Sequence, residues 1–211
     1  MTPANDLRTN IGTWGLCACR LPAVAAVMRN LLPSEEFDPS FQGQLLKTTY
    51  YDTKDFVLRK ARRQGDKYLT LRTRCYKAAG RVEGYALSAK TESQKFRTLL
   101  SEDDQGAIEQ FPGAIAQWLP GDMLARYQEL VGDEPLLAVV TVCCTRYACE
   151  DSRNRLTLDV DLKTDLGKCL PCCVLEFKST DPDTPPPGSL QALGLRPIKL
   201  SKFLWATGQD R

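Results

Sequence analysis

The chain has 211 residues, enough for one domain with a sizeable core, and residues 1–211 are expected to form a single domain whose first ten residues are loose. Charged residues make up 26% and hydrophobic residues 43%, which excludes a disordered chain, and a net charge of only +2 excludes a nucleic-acid binder that works through its overall field. Histidine is absent, which removes Ser-His and Cys-His nucleophile systems and histidine-ligated zinc and leaves carboxylates, Lys, Arg, Cys, Tyr or an oxygen-held metal to do any chemistry.

Pro22 to Leu32 reads as a short helix, with Pro in the first turn and Val24, Val27, Met28 and Leu31 recurring at helical spacing. Lys47 to Asp52 is predicted extended and Asp55 to Arg63 a helical turn. Tyr68 to Tyr76 and Tyr85 to Glu92 alternate like strands. Glu102 to Val131 is helical but broken by Pro112 and by Pro120-Gly121 into two or three short helices. Leu136 to Tyr147, Arg155 to Leu162 and Cys172 to Lys178 are strands rich in Val, Leu, Thr and Cys. Asp181 to Gly188 is a proline-rich loop, Ser189 to Leu193 a capped turn closed by Gly194, and Pro197 to Trp205 a last extended stretch. Runs of strands with intervening short helices, instead of strict strand-helix alternation, predict an antiparallel α+β architecture.

No apolar run approaches the roughly 20 residues needed to cross a bilayer, and the N-terminus has no basic segment followed by a long apolar stretch. Nine cysteines, several adjacent in sequence, fit free thiols in a reducing, cytoplasmic setting better than a disulfide framework. Cys169-x-x-Cys172-Cys173 with Cys17-x-Cys19 has the ligand types of a thiolate zinc site. Cys173, however, falls on the apolar side of a strand with Leu175 and Phe177, the pattern of a buried thiol. Trp14, Trp118 and Trp205 read as packing residues, since none sits among clustered basic residues.

Successive side chains of a strand point to opposite faces, so charges two apart share one face. Arg155-Leu156-Thr157-Leu158-Asp159-Val160-Asp161-Leu162 predicts one face of Arg155, Thr157, Asp159 and Asp161 and another of Leu and Val only. Leu71-Arg72-Thr73-Arg74 sets two guanidinium groups side by side, and Leu87 to Glu92 and Leu175 to Lys178 repeat the pattern with Lys90, Glu92, Glu176 and Lys178. Such faces are either the wet side of an ordinary sheet or, if the sheet closes with helices outside, the lining of a lumen. Charges enclosed in a lumen would need pairing, or an anion and a metal to fill it.

At Tyr50-Tyr51-Asp52-Thr53-Lys54-Asp55 and Leu71-Arg72-Thr73-Arg74 the sequence resembles the triphosphate tunnel metalloenzyme superfamily, which includes CYTH phosphohydrolases and VTC-type polyphosphate polymerase domains. The likeness continues in the family's order through Ala89-Lys90-Thr91-Glu92, Arg146-Tyr147, Arg155 to Asp161, Leu175-Glu176-Phe177-Lys178 and Leu200-Ser201-Lys202-Phe203, and so spans roughly residues 45 to 205. It implies a closed, eight-stranded antiparallel β-barrel with short helices outside. Arg72, Arg74, Lys90, Arg146, Arg155, Lys178 and Lys202 would bind phosphate oxygens, with Lys90, Arg155 and Lys178 as the catalytic cations. Glu176, Asp159 and Asp161 would hold Mg²⁺ or Mn²⁺. The basic run from Lys54 to Arg63 is a solvated helix face or widens the entrance to the tunnel.

The activity so implied is metal-dependent binding and phosphoryl transfer on triphosphate or polyphosphate, as a triphosphatase, polyphosphatase or polyphosphate polymerase. One departure bears on it: members usually open with alternating Glu and then Lys, whereas Thr13 to Arg20 has neither a carboxylate nor a Lys. The alternatives are a noncatalytic polyphosphate or nucleotide sensor that has lost this acidic strand, and a structural domain whose polar faces meet water. No specific nucleic-acid partner and no membrane segment are expected.

Overall fold

A computed structural model of the protein describes residues 9–16, 43–65, 67–150, 152–186, 188 and 195–208. The helix expected at Pro22 to Leu32, the turn at Ser189 to Leu193, and Cys17 and Cys19 lie outside them. The strands are β1 (Thr9–Leu16), β2 (Gln44–Thr53), β3 (Thr70–Ala78), β4 (Arg81–Lys90), β5 (Lys95–Leu100), β6 (Leu136–Glu150), β7 (Asn154–Thr164), β8 (Cys173–Ser179) and the two-residue β9 (Arg196–Pro197). The helices are α1 (Val57–Gln64), α2 (Glu102–Gln110), a 3₁₀ turn at Pro112–Trp118, α3 (Gly121–Leu130) and α4 (Lys202–Ala206).

All pairings are antiparallel and run in the order β5-β4-β3-β2-β6-β7-β8-β1-β9. The expected closed barrel is therefore replaced by a curled sheet whose end strands, β5 and β9, do not hydrogen-bond to each other. Chemistry at the edge accounts for part of this. Among the described residues Arg196 and Pro197 pair with the outer side of β1 and the Ile198 N–H donates to Thr13 O (2.9 Å), while Pro197 itself has no N–H with which to extend the ladder.

Local sequence sets the punctuation. Ala79 and Gly80, both at positive φ, form the two-residue turn between β3 and β4, the backbone that a right-twisted hairpin requires. Ser101 and Asp104 form a reciprocal capping box that starts α2. Asp52, fully buried at the end of β2, accepts from the backbone N–H groups of Leu58 (2.8 Å) and Arg59 (2.9 Å) and so fixes the first turn of α1. The expected breaks at Pro112 and Pro120-Gly121 separate α2, the 3₁₀ turn and α3.

Three apolar clusters follow from strand parity. Tyr51, Leu71, Leu87 and Ala89 turn outward and meet Leu58 of α1, Ile108 of α2, Ile115 of the 3₁₀ turn and Met123 of α3. Leu156, Leu158 and Val160 of β7 pack outward with Leu175 and Phe177 of β8. The third cluster lies on the inner, concave face: Leu46, Tyr50, Val140, Val142, Cys144, Leu162 and Val174 surround Phe203 and Trp205 of α4. Helix α4 therefore plugs one end of the trough with apolar side chains. The stretch from Pro197 to Trp205, expected to be extended throughout, ends in this helix because Ser201 caps it and the inner face needs an apolar floor. The three tryptophans pack with these clusters, as expected.

The alternation expected through β7 slips once. Asp161 adopts φ 53° in a β-bulge where Asp161 and Leu162 together oppose Cys144, so parity reverses. Leu162 turns inward to the plug and Asp161 is left exposed on the outside. Cys75, Cys143, Cys144, Cys149, Cys169, Cys172 and Cys173 are all free thiols, with Cys173 buried in the β7–β8 cluster. Among the described residues no helix is long and apolar enough to cross a membrane.

Candidate functional site

The same parity that buries the outer face aims charge inward. Along β6 the inward residues run Val140, Val142, Cys144, Arg146, apolar at the plug and cationic beyond it. Above the plug opens a cavity of about 390 Å³ lined from most of the sheet. Strand β3 contributes Thr70, Arg72, Arg74 and Tyr76; β4 contributes Ser88 and Lys90; β5 contributes Lys95 and Arg97. From the other limb come Arg146, Arg155, Thr157, Glu176 and Lys178, with Asn10 and Thr13 of β1, Arg62 of α1 and Lys202 of α4. Ten Arg and Lys side chains thus face one lining carboxylate, Glu176.

At the base of the cavity sits Asp159, 1% exposed, in a three-residue ion cluster. Its carboxylate accepts from Arg146 Nε (2.6 Å) and Arg146 Nη2 (2.7 Å), a bidentate fork, and also from Lys202 Nζ. Burial alone would raise the Asp159 carboxyl, but Lys202 and Arg146 outweigh it and hold it far below the usual carboxylate range. Reciprocally, burial would lower the Arg146 and Lys202 cations, and Asp159 pushes both up. Glu176 lies 4.0 Å from Lys202 Nζ, and Lys202, Lys178 and Arg146 together pull its carboxyl down to about 2 against burial.

The cations further out are differently placed. Arg74 Nε donates to Thr48 Oγ1 (3.1 Å), and its pKa is lowered by burial and by the neighbouring Arg72 and Arg146. Lys90 is lowered by burial, then by Arg62 and Arg72, and is raised only by Glu176. Arg97 Nη2 donates to the Tyr76 hydroxyl (2.8 Å) while its buried Nε has no acceptor. Arg74 and Arg97 both lie over the Tyr76 ring, 5.8 and 5.3 Å from its centroid. At the rim, Arg155 Nε lies 3.4 Å from a Glu150 carboxylate. Cations that lower one another's pKa in this way favour an anion placed between them.

All seven residues expected to bind phosphate therefore line one cavity, though Arg146 and Lys202 face Asp159 within it. Arg62, Lys95, Arg97 and Tyr76 were not anticipated as a set. Arg62 lies over the Tyr68 ring (3.8 Å) and joins the lining, while Lys54, Lys60 and Arg63 of the same basic run stay exposed as a solvated face. The Lys95-Phe96-Arg97 alternation in β5 carried a signal that a six-residue strand makes short.

The expected metal ligands do not come together. Asp161 is outside on the bulge, Asp159 is occupied by two cations, and Glu176 has Lys202 beside it. Among the described residues no three His, Cys, Asp or Glu side chains cluster as metal ligands. The donor set among the described residues does not fit a resident Mg²⁺ or Mn²⁺, which is held by carboxylates left open toward the ion.

Solved structures share this architecture. A Bacillus halodurans protein described as a candidate adenylate cyclase superposes with a TM-score of 0.63 at 13% identity, covering 92% of this chain and 93% of that one. A Hippeastrum protein described as a candidate adenylyl cyclase with a dominant triphosphatase activity gives 0.59 at 15% identity, covering 95% and 96%. A Vibrio parahaemolyticus protein, also described as a candidate adenylate cyclase, gives 0.51 at 13% identity over 92% and 94%. At these identities the likeness establishes a common fold over nearly the whole chain. No protein-family profile and no curated protein matches the sequence.

Proposed function

We propose that the lumen binds the phosphate chain of a triphosphate or polyphosphate. The observation that carries this reading is the convergence of ten cationic side chains on one cavity, with Asp159 and Glu176 turned toward Arg146 and Lys202 at its base. Guanidinium forks suit phosphate oxygens because they donate two parallel hydrogen bonds in fixed geometry, and low local dielectric strengthens each. Arg72 and Arg74, two apart on β3, form the central cradle. Titration calorimetry with inorganic tripolyphosphate tests it: Arg72→Ala with Arg74→Ala together should weaken binding at least about a hundredfold, since each charge-assisted bond contributes about 1.5–3 kcal/mol. Unchanged affinity would refute the cradle.

A second reading adds phosphoryl transfer, and the triphosphatase activity described for the Hippeastrum fold neighbour favours it. Lys90, Arg155 and Lys178 would spread the charge on the transferring phosphoryl group, which needs positioning and electrostatic stabilisation more than covalent chemistry. Water as nucleophile gives a hydrolase, and a second phosphate chain gives a polymerase. Phosphate release from tripolyphosphate, ATP, thiamine triphosphate and long polyphosphate distinguishes turnover from binding alone. Tight binding with no release from any of the four would leave the protein a sensor.

A further inference from the structure

Resting on the reading of the lumen as a triphosphate site, the geometry points to a further property: the cavity takes the bare polyanion, uncomplexed by a divalent cation. The carboxylates that would share a metal with the phosphates are otherwise engaged. Asp159 receives a bidentate Arg146 fork and the Lys202 ammonium group, and Asp161 is carried outside by the β7 bulge. Facing Glu176 across the β1–β8 pairing is Thr13, and facing Lys178 is Asn10, so β1 brings neutral side chains to the lumen. A divalent ion at Glu176 would also stand next to Lys202, a like charge in a poorly solvated site.

The compensating charge is supplied by the protein. The Arg72 and Lys90 side chains line the cavity, where Arg62 and Arg72 both act against the Lys90 charge, and the buried Arg97 Nε has no acceptor. An oxygen acceptor would relieve that repulsion and fill the buried Arg97 donor, which is costly while unmade. A triphosphate would do both directly. Magnesium bound to that triphosphate would cancel part of its charge and occupy the oxygens the guanidinium groups need.

Linkage turns this into a sign. A site specific for the free anion sees only the uncomplexed fraction, so Mg²⁺ in solution raises the apparent dissociation constant by the inverse of that fraction. Tripolyphosphate binding to the full chain is measured by calorimetry in EDTA and in excess MgCl₂ at matched ionic strength. The expected result is tight binding in EDTA, weakened about tenfold or more by Mg²⁺ in excess of the anion. Glu176→Gln, which removes a negative charge from the lumen, should tighten binding in EDTA. Binding that appears only with Mg²⁺ or Mn²⁺, and that Glu176→Gln abolishes, overturns the inference while leaving the anion site intact. No binding in either buffer overturns the anion site itself.

Discussion

Replacing Asp159 by Asn removes the charge at the base of the lumen while keeping the shape of the side chain. The carboxylate is 1% exposed, and Arg146 and Lys202, which it holds, are 12% and 14% exposed. Removing one partner of a buried pair costs about 3–5 kcal/mol, because the other charge stays desolvated and uncompensated. Here Arg146 is left that way and Lys202 keeps only the more distant Glu176, and the amide offers one acceptor in place of two. For a chain of this length about 1 kcal/mol moves the melting temperature by about 2–4 °C, so the variant should melt about 6–20 °C lower. Urea denaturation checks the free energy and calorimetric melting the temperature. Tripolyphosphate should recover more stability in the variant than in the parent, since an added anion finds two cations released from Asp159. A loss below about 1 kcal/mol would show that solvent already screens the cluster, and the proposed low-dielectric cradle would fall with it.

Acid should destabilise the fold in a defined window. The Glu176 pKa falls from an ordinary 4.5 to about 2, so its contribution is complete above 4.5 and lost as pH drops toward 2, about 3 kcal/mol in all; denaturant midpoints measured from pH 6 to 2 follow it, and Glu176→Gln should flatten that slope. Asp161→Gly should be neutral or stabilising by up to about 1 kcal/mol, because φ 53° suits glycine, whereas Asp161→Val should cost more than about 1 kcal/mol; equal midpoints for the two would contradict the bulge. Ser101→Ala should cost about 1 kcal/mol by breaking the capping box of α2, read by urea midpoint, and no change would mean water replaces the cap.

Much of the site was legible because strand parity is a local property. Arg72 with Arg74, and Glu176 with Lys178, could be assigned to common faces from spacing alone, and those faces proved to meet in one cavity. Parity fails where a bulge intervenes, and nothing in Asp159-Val160-Asp161-Leu162 marks the extra residue, since Asp at positive φ is tolerated but not required. The pairing of Asp159 with Lys202 was likewise illegible. It joins residues far apart in sequence and depends on α4 entering the concave face, which the apolar lining of Val140, Val142 and Leu162 demands only once the sheet has curled. Closure of the barrel was expected from the family resemblance alone, because a run of strands says how many there are and not which edges meet.

The pairing of β1 with β8 carries a consequence for biosynthesis. At about 5–20 residues per second a ribosome needs roughly ten to thirty seconds to make the residues between these two strands. For that interval β1 has neither β8 nor β9 beside it, and its backbone donors and acceptors are available to any other extended polypeptide nearby. The middle of the chain, whose hairpins β3–β4 and β4–β5 need only local turns, can assemble meanwhile. Maturation of the cationic trough is thus a late event, governed by how well nascent β1 is shielded while it waits.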